Sequence, residues 1–125
     1  MSEHGLWYLA HPLTALCRDG ARDTEAERRN YHLSNVRALA LFRAGYNVYS
    51  PISHSYPIQC EAGHAEDAQL PWYDLDNEFI AAVDWRGIIM APRWQYSRGC
   101  VAERDLFVAL GLPVKFYQDI VEDRP

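Results

Sequence analysis

"RGIIMAPRWQYSRGCVAERDLFVALGLPVKFY", residues 86–117, decides the fold class. It opens on "RGIIMAP" (Arg86 to Pro92), a short apolar run with the length and branched side chains of a buried strand. Ser97 then stands where a helix N-cap belongs, and Gly111 and Pro113 mark a helix stop and a strand entry. "PVKFY" (Pro113 to Tyr117) closes the unit as a further strand. Strand, helix and strand joined by short connections make a βαβ unit, which requires a parallel sheet covered on both faces.

The same alternation runs back to the start of the chain. "LWYLA" (Leu6 to Ala10) predicts a buried strand ended by Pro12, with a polar loop from Leu13 to Asp23. Thr24 and Glu27 have the spacing of a capping box. Leu33, Val36 and Ala40, with Leu39 alongside, predict the buried face of the helix that follows, and Gly45 stops it. "YNVYS" (Tyr46 to Ser50) is a second strand. From Ile52 to Leu70 no period is evident, so this stretch reads as a long binding or lid loop. Pro71 starts another helix, with Trp72, Leu75, Phe79 and Val83 as its buried stripe. The acidic end, residues 118–125, reads as an exposed tail. The sum is one domain over residues 1–125: an α/β, flavodoxin-like three-layer sandwich with a four- to five-stranded parallel sheet. Ligands of such sheets bind beyond the carboxyl ends of the strands. The loops after Ala10, Ser50 and Ala91 should therefore meet in one cleft.

Composition narrows the partners. A net charge of −5 on 125 residues argues against a polymeric nucleic acid, which needs a basic face. No apolar run approaches the ~20 residues of a membrane span. The opening MSEHGLWYLAHP lacks the basic and apolar regions of a secretion signal, so the expected compartment is the cytoplasm. Cys17, Cys60 and Cys100 form no CxxC pair and read as reduced thiols. His54, Cys60, His64, Glu66 and Asp67 crowd one stretch, but their spacing fits no structural zinc pattern. Neither a metal nor another cofactor is expected.

The cleft collects chemistry in the loop PRWQYSRGC. With Ser97 as N-cap, the amides of Arg98, Gly99 and Cys100 would face outward as an anion site, and Gly99 lets a ligand approach the backbone. Ala102, Leu106, Ala109 and Leu110 predict the core-facing stripe of this helix. That places Glu103 beside the stripe at the cleft mouth, kept ionised by the helix N-terminus. The pattern alone fits a solvated first-turn glutamate equally well. Arg18, Arg22, Arg28 and Arg29 read either as a phosphate clamp or as solvated faces. Trp85, Trp94 and Tyr96 flank the cleft, for base stacking or for an interface. Cys100 sits near the helix start, where a thiol pKa can fall.

W-Y-L-A near the start, D-x-x-x-I from Asp76 to Ile80, and S-x-G-x-x-x-E from Ser97 to Glu103 followed by A-x-G-x-P-V make a recognisable set. Together they resemble the nucleoside 2-deoxyribosyltransferase superfamily over roughly residues 6 to 117. "YSPISHSYPI", the WYDLD segment and "RWQYSRGCVAE" are similar to an uncharacterised bacterial branch of it. The resemblance implies that Glu103 attacks the anomeric carbon of a (deoxy)nucleoside to form a glycosyl-enzyme, resolved by water or a second base. It implies that Asp76 contacts sugar and base and assists protonation of the leaving base, and that the Tyr8 hydroxyl orients the nucleophile. Ser97 and Gly99 match the phosphate-binding Ser-x-Gly of members that hydrolyse deoxynucleoside 5′-monophosphates. Arg98 joins that phosphate loop. The expected partner is thus a small nucleoside or nucleotide, and homo-oligomers are usual in the superfamily.

One departure stands out. The first-strand loop reads Ala10-His11-Pro12 where the superfamily has A-G-P or more glycine. His11 therefore either contacts phosphate or base, or narrows the site. His54, just after the second strand, is a further expected ligand contact. The alternative function is a non-catalytic nucleotide-binding or sensing module on the same fold. A phosphoribohydrolase is disfavoured, because the P-G-G-x-G-T-x-x-E loop is missing.

Overall fold

Trp7, Tyr8, Leu9 and Ala10 are each at most 1% exposed, and the molecule is built around them. In a computed structural model, described over residues 3–121, they belong to β1 (Glu3–Ala10). There follow α1 (Thr24–Arg43), β2 (Tyr46–Tyr49), α2 (Pro51–Ala62), α3 (Trp72–Ala82), β3 (Trp85–Met90), α4 (Arg98–Ala109), β4 (Val114–Phe116) and α5 (Tyr117–Ile120). Short 3₁₀ turns lie at Glu66–Ala68 and Trp94–Tyr96. The four strands form one sheet in the order β2-β1-β3-β4, every pair parallel. This is the α/β, flavodoxin-like sandwich expected, at the four-strand end of the range.

Alternation along the strands sorts the core into two layers. Tyr8, Ala10, Ile88 and Met90 pack on one face with Ile80 of α3 and with Cys100 and Phe107 of α4. Trp7, Leu9 and Ile89 pack on the other with Leu41 of α1 and Tyr117 of α5. Gly87 lets β1 and β3 close up: a Cβ there would lie 2.5 Å from the Trp7 ring and 2.6 Å from the Pro113 carbonyl oxygen.

Several local expectations are corrected. The expected loop from Ile52 is in fact α2 up to Ala62. Ser50 caps it by accepting from the Ser53 amide at 3.4 Å, Pro51 occupies the first turn, and Gly63 at φ 98° ends it. Gln59, 7% exposed, ties down the chain beyond, donating to the Gly63 and Ala68 carbonyls and accepting from the Leu70 amide and the Trp72 indole. The cap of α1 is Asp23, which accepts from the Ala26 amide at 3.0 Å. This frees Glu27 from a capping role, and it turns inward instead.

The buried side of α1 carries Glu27, Ser34 and Leu41, whereas Leu33, Val36 and Leu39 are exposed and Ala40 only half-buried. On α4 the buried residues are Cys100 and Phe107, and Leu106, Ala109 and Leu110 face out. In α3, Trp72, Phe79 and Val83 are half-buried as expected, but Ile80 is the deepest residue and Leu75 is exposed. The chain end is exposed at Gln118 and Asp119, yet Ile120 and Val121 pack against the second core layer. Residues 122–125 of the expected tail lie outside the described residues. Among the described residues, no helix is long and apolar enough to cross a membrane.

Candidate active site

Glu103 sits three residues after Cys100 and four before Phe107, so helical spacing puts it on the buried side of α4. It is half-buried there, beside Cys100 and Phe107 and on the wall of the cleft. The Tyr8 hydroxyl, rising from the middle of β1, donates a hydrogen bond to its Oε2. Tyr8 is itself fixed by aromatic contacts, with Trp85 at 5.3 Å and Phe107 at 5.5 Å between ring centres. Burial, and then the charges of Glu103 and Asp76, hold the Tyr8 phenol well above its ordinary pKa. It therefore stays a donor.

Burial also governs the carboxyl. The pKa of Glu103 is pushed up to about 8, first by loss of water and further by Asp76, with the Tyr8 hydrogen bond opposing. The expectation of a carboxylate kept ionised by the helix N-terminus is thus reversed. Asp76, on the inner side of α3, is pushed up to about 6 by burial, and the nearby His54 charge acts against the shift. Its Oδ1 is buried with no hydrogen-bond partner. Two carboxyl groups that both resist ionisation face one space.

That space is a cavity of about 170 Å³ at the carboxyl ends of the strands. His11 and Thr14 line it from the loop after β1, Asp76 from α3, and Ser97, Gly99 and Glu103 from the start of α4; Pro51 and Ile52 contribute from the first turn of α2. The segments that follow β1, β2 and β3 thus converge on one cleft, the second of them as a helix and not the expected loop. Ser97 caps α4, its Oγ accepting from the Cys100 amide at 3.2 Å. The Cys100 amide is therefore taken, and the outward amides are those of Arg98 and Gly99, a correction to the expected set of three. A Cβ on Gly99 would meet only Ser97 Oγ, at 3.9 Å. Neither packing nor a left-handed φ demands glycine there.

The other expected residues are more dispersed. His11 is 7% exposed; its Nδ1 donates to the Pro12 carbonyl at 2.8 Å and its Nε2 accepts from the Arg37 guanidinium at 2.9 Å. His54 is exposed on the first turn of α2, outside the cavity lining, with Nδ1 3.4 Å from Ser55 Oγ. Arg98 is exposed and does not line the cavity either. Arg22 is engaged by Glu27 at 2.6 Å, and Arg28 and Arg29 lie at the surface beside Glu25. Trp85 belongs to the core, with its indole donating to the Ile80 carbonyl. The Cys100 thiol moves opposite to expectation, burial pushing it up to about 12. Among the described residues, no three His, Cys, Asp or Glu side chains are placed to hold a metal ion.

Sequence reasoning missed the site's neighbour. A second cavity of about 130 Å³ adjoins the first through Leu13, Pro51, Ile52 and Asp76, and is otherwise lined by Tyr56, Trp72, Gln59 and Arg22 among others. Much of its wall comes from α2, where the sequence shows no helical period, and Trp72 lines it although its spacing predicts packing alone.

Residues 5–119 match the profile of a family described as a domain of unknown function, DUF1937. No curated protein matches the chain significantly. The profile match runs from β1 into α5, and the chain belongs to the DUF1937 family.

Proposed function

We propose that this protein cleaves or transfers the N-glycosidic bond of a (deoxy)nucleoside 5′-monophosphate or related N-glycoside, with Glu103 as nucleophile. The observation that carries the reading is the Glu103 carboxyl: turned into the core face of α4, held by Tyr8, and opening on a cavity shared with a second carboxyl. The resemblance to the nucleoside 2-deoxyribosyltransferase superfamily supports it independently.

In the first step a Glu103 oxygen attacks the anomeric carbon as the bond to the base breaks. The electron pair leaves with the base nitrogen, and protonated Asp76 supplies a proton to it. The resulting ester is resolved by water, which makes the protein a hydrolase, or by another base, which makes it a transferase. Positive charge developing on the sugar ring favours ionised Glu103, so substrate offsets the burial that resists its ionisation. Asp76 lies on the walls of both cavities. The sugar then sits over Glu103 and the departing base lies against Trp72 and Tyr56, within reach of Asp76. The amides of Arg98 and Gly99 with the Ser97 cap suit a phosphate. Outward Leu33, Val36, Leu39 and Phe42 of α1 support self-association, which sedimentation would test.

Incubation with a panel of ribo- and deoxyribonucleoside 5′-monophosphates should release free base, and Glu103→Gln should abolish that release. Base release that survives the substitution removes Glu103 from the mechanism. Nucleotide binding without turnover by the native chain would instead identify a binding module.

A further inference from the structure

The site cavity has another neighbour as well. His11, Thr14 and Ser97 line both the space around Glu103 and another cavity of about 280 Å³. This volume far exceeds the roughly 10–15 Å³ that admits one water, so a phosphate group fits. The two spaces differ in charge. The first holds Asp76 and Glu103; the second has Arg37 and Arg93 on its wall and no carboxylate among the described residues that line it. In a chain of net charge −5 that is a localised cationic site.

Arg93 is its most telling member. It is the one non-glycine among the described residues with positive φ, at 68°. Side chains other than glycine adopt that conformation at a cost, and such outliers gather where a ligand is held. Its guanidinium lies 5.1 Å over the ring of Tyr96, a residue 76% exposed on the same wall, and forms no ion pair among the described residues. Asn30 adds a polar side chain from α1.

We propose that the cavity at Arg93 is a second anion subsite, and that the molecule processed at Glu103 carries two linked phosphates: a nucleoside diphosphate or a pyrophosphate-linked nucleotide. The proximal phosphate lies over the Arg98 and Gly99 amides, and the distal one crosses the Ser97 wall to Arg93. The subsite stands on its own geometry; calling its occupant a substrate rests on the reading of Glu103 above.

The test titrates inorganic pyrophosphate against inorganic phosphate, and the four deoxynucleoside 5′-diphosphates against their 5′-monophosphates, into the full chain at about 0.15 M ionic strength. Arg93→Gly is the comparison, because glycine takes the left-handed φ without strain and so preserves the fold. Pyrophosphate and the diphosphates should bind about tenfold tighter than their single-phosphate counterparts, and Arg93→Gly should erase that ratio. Equal affinities in the native chain, or an unchanged ratio in Arg93→Gly, overturn the subsite. Base release is followed in parallel. A diphosphate preference without base release upholds the subsite and refutes the glycosidase; base release without that preference does the reverse.

Discussion

Glu27 and Glu103 both turn inward from a helix, and their surroundings are opposite. Glu27 is fully buried and accepts three hydrogen bonds: from the Ala15 amide at 3.0 Å, and from Arg22 Nε at 2.6 Å and Nη2 at 3.0 Å. Among the described residues Glu103 has one donor, the Tyr8 hydroxyl, and a second carboxyl group nearby. A carboxylate saturated with donors, one of them a cation, is a brace: it fastens the loop after β1 to α1. A carboxyl short of donors and beside its own kind holds its proton, and that reluctance is what chemistry can use. Glu27 is sealed from solvent whereas Glu103 is half-buried at a cavity wall, and the number of donors sets them apart further.

The sharpest way to break the comparison is to remove the brace. Glu27→Ala leaves the Ala15 amide and the Arg22 guanidinium without their acceptor. Loss of one partner from a buried pair costs about 3–5 kcal/mol. The Arg22 side chain is 37% exposed and can turn to water, which places the loss near the lower figure. Urea denaturation measures it, and a loss under about 1 kcal/mol would show that Glu27 braces nothing.

Glu103→Gln should move stability the other way. The folded-state pKa of Glu103 is raised, from an ordinary 4.5 to about 8. The folded chain therefore binds this proton more tightly than the unfolded one. Its contribution is fully present below the ordinary value and is lost as pH rises through about 8. The amide carries no such charge. At pH near 9 the variant should melt at least about 4 °C above the native chain, with the gap narrowing towards pH 5. Activity should fall at least about 10³-fold. A variant less stable than the native chain at alkaline pH would mean that Glu103 is a brace after all.

Helix phase hid the inward place of both glutamates. The alternation of strands and helices, the Ser97 cap and the Gly111 stop were readable because each depends on a few neighbouring residues. The inward faces of α1 and α4 were not. An amphipathic reading sends the apolar residues inward, but here Glu27, Ser34 and Glu103 take inward positions, while Leu33, Val36, Leu106 and Leu110 face out. The apolar stripe thus pointed to the wrong side of both helices, and the capping-box spacing hid Glu27 as well. With α2, the Ser50-Pro51 pair was a readable start. Pro57 and the scattered polar residues disguised the rest, and with it the walls of the second cavity. Resemblance found Glu103 by motif, yet its burial, and hence its reversed pKa, had to come from the fold. No sequence signal marked the left-handed Arg93.

A milder effect should appear in the pH profile. Asp76 and Glu103 interact, so they release protons as a pair, in steps near about 6 and about 8. The reactive form is singly protonated with the proton on Asp76 and the charge on Glu103, the minor arrangement given the two values, and its share of the chain is largest between them. The rate at low substrate should therefore be bell-shaped with its maximum between those values, falling about tenfold per pH unit outside them. Asp76→Asn removes the charge that raises Glu103, and its remaining ionisation should move to lower pH. A flat profile across this range would detach both groups from the chemistry.

The smallest effect tests the single donor that Glu103 does have. Tyr8→Phe keeps the ring that packs on Trp85 and Phe107 and deletes only the hydroxyl. That hydrogen bond opposes the rise in the Glu103 pKa, so its loss should let Glu103 hold its proton to higher pH. A hydrogen bond to a charged group is worth about 1.5–3 kcal/mol. The upper limb of the profile should accordingly move up by about one unit, with activity near pH 7 reduced about tenfold. Thermal stability should barely change, because a protonated carboxyl beside a phenyl ring leaves no buried charge unpaired. If Tyr8 mattered only for packing, the phenyl ring would serve as well, and both the melting temperature and the limb would stay in place. Tyr8 acts as a positioning residue only if the limb shifts while the fold holds.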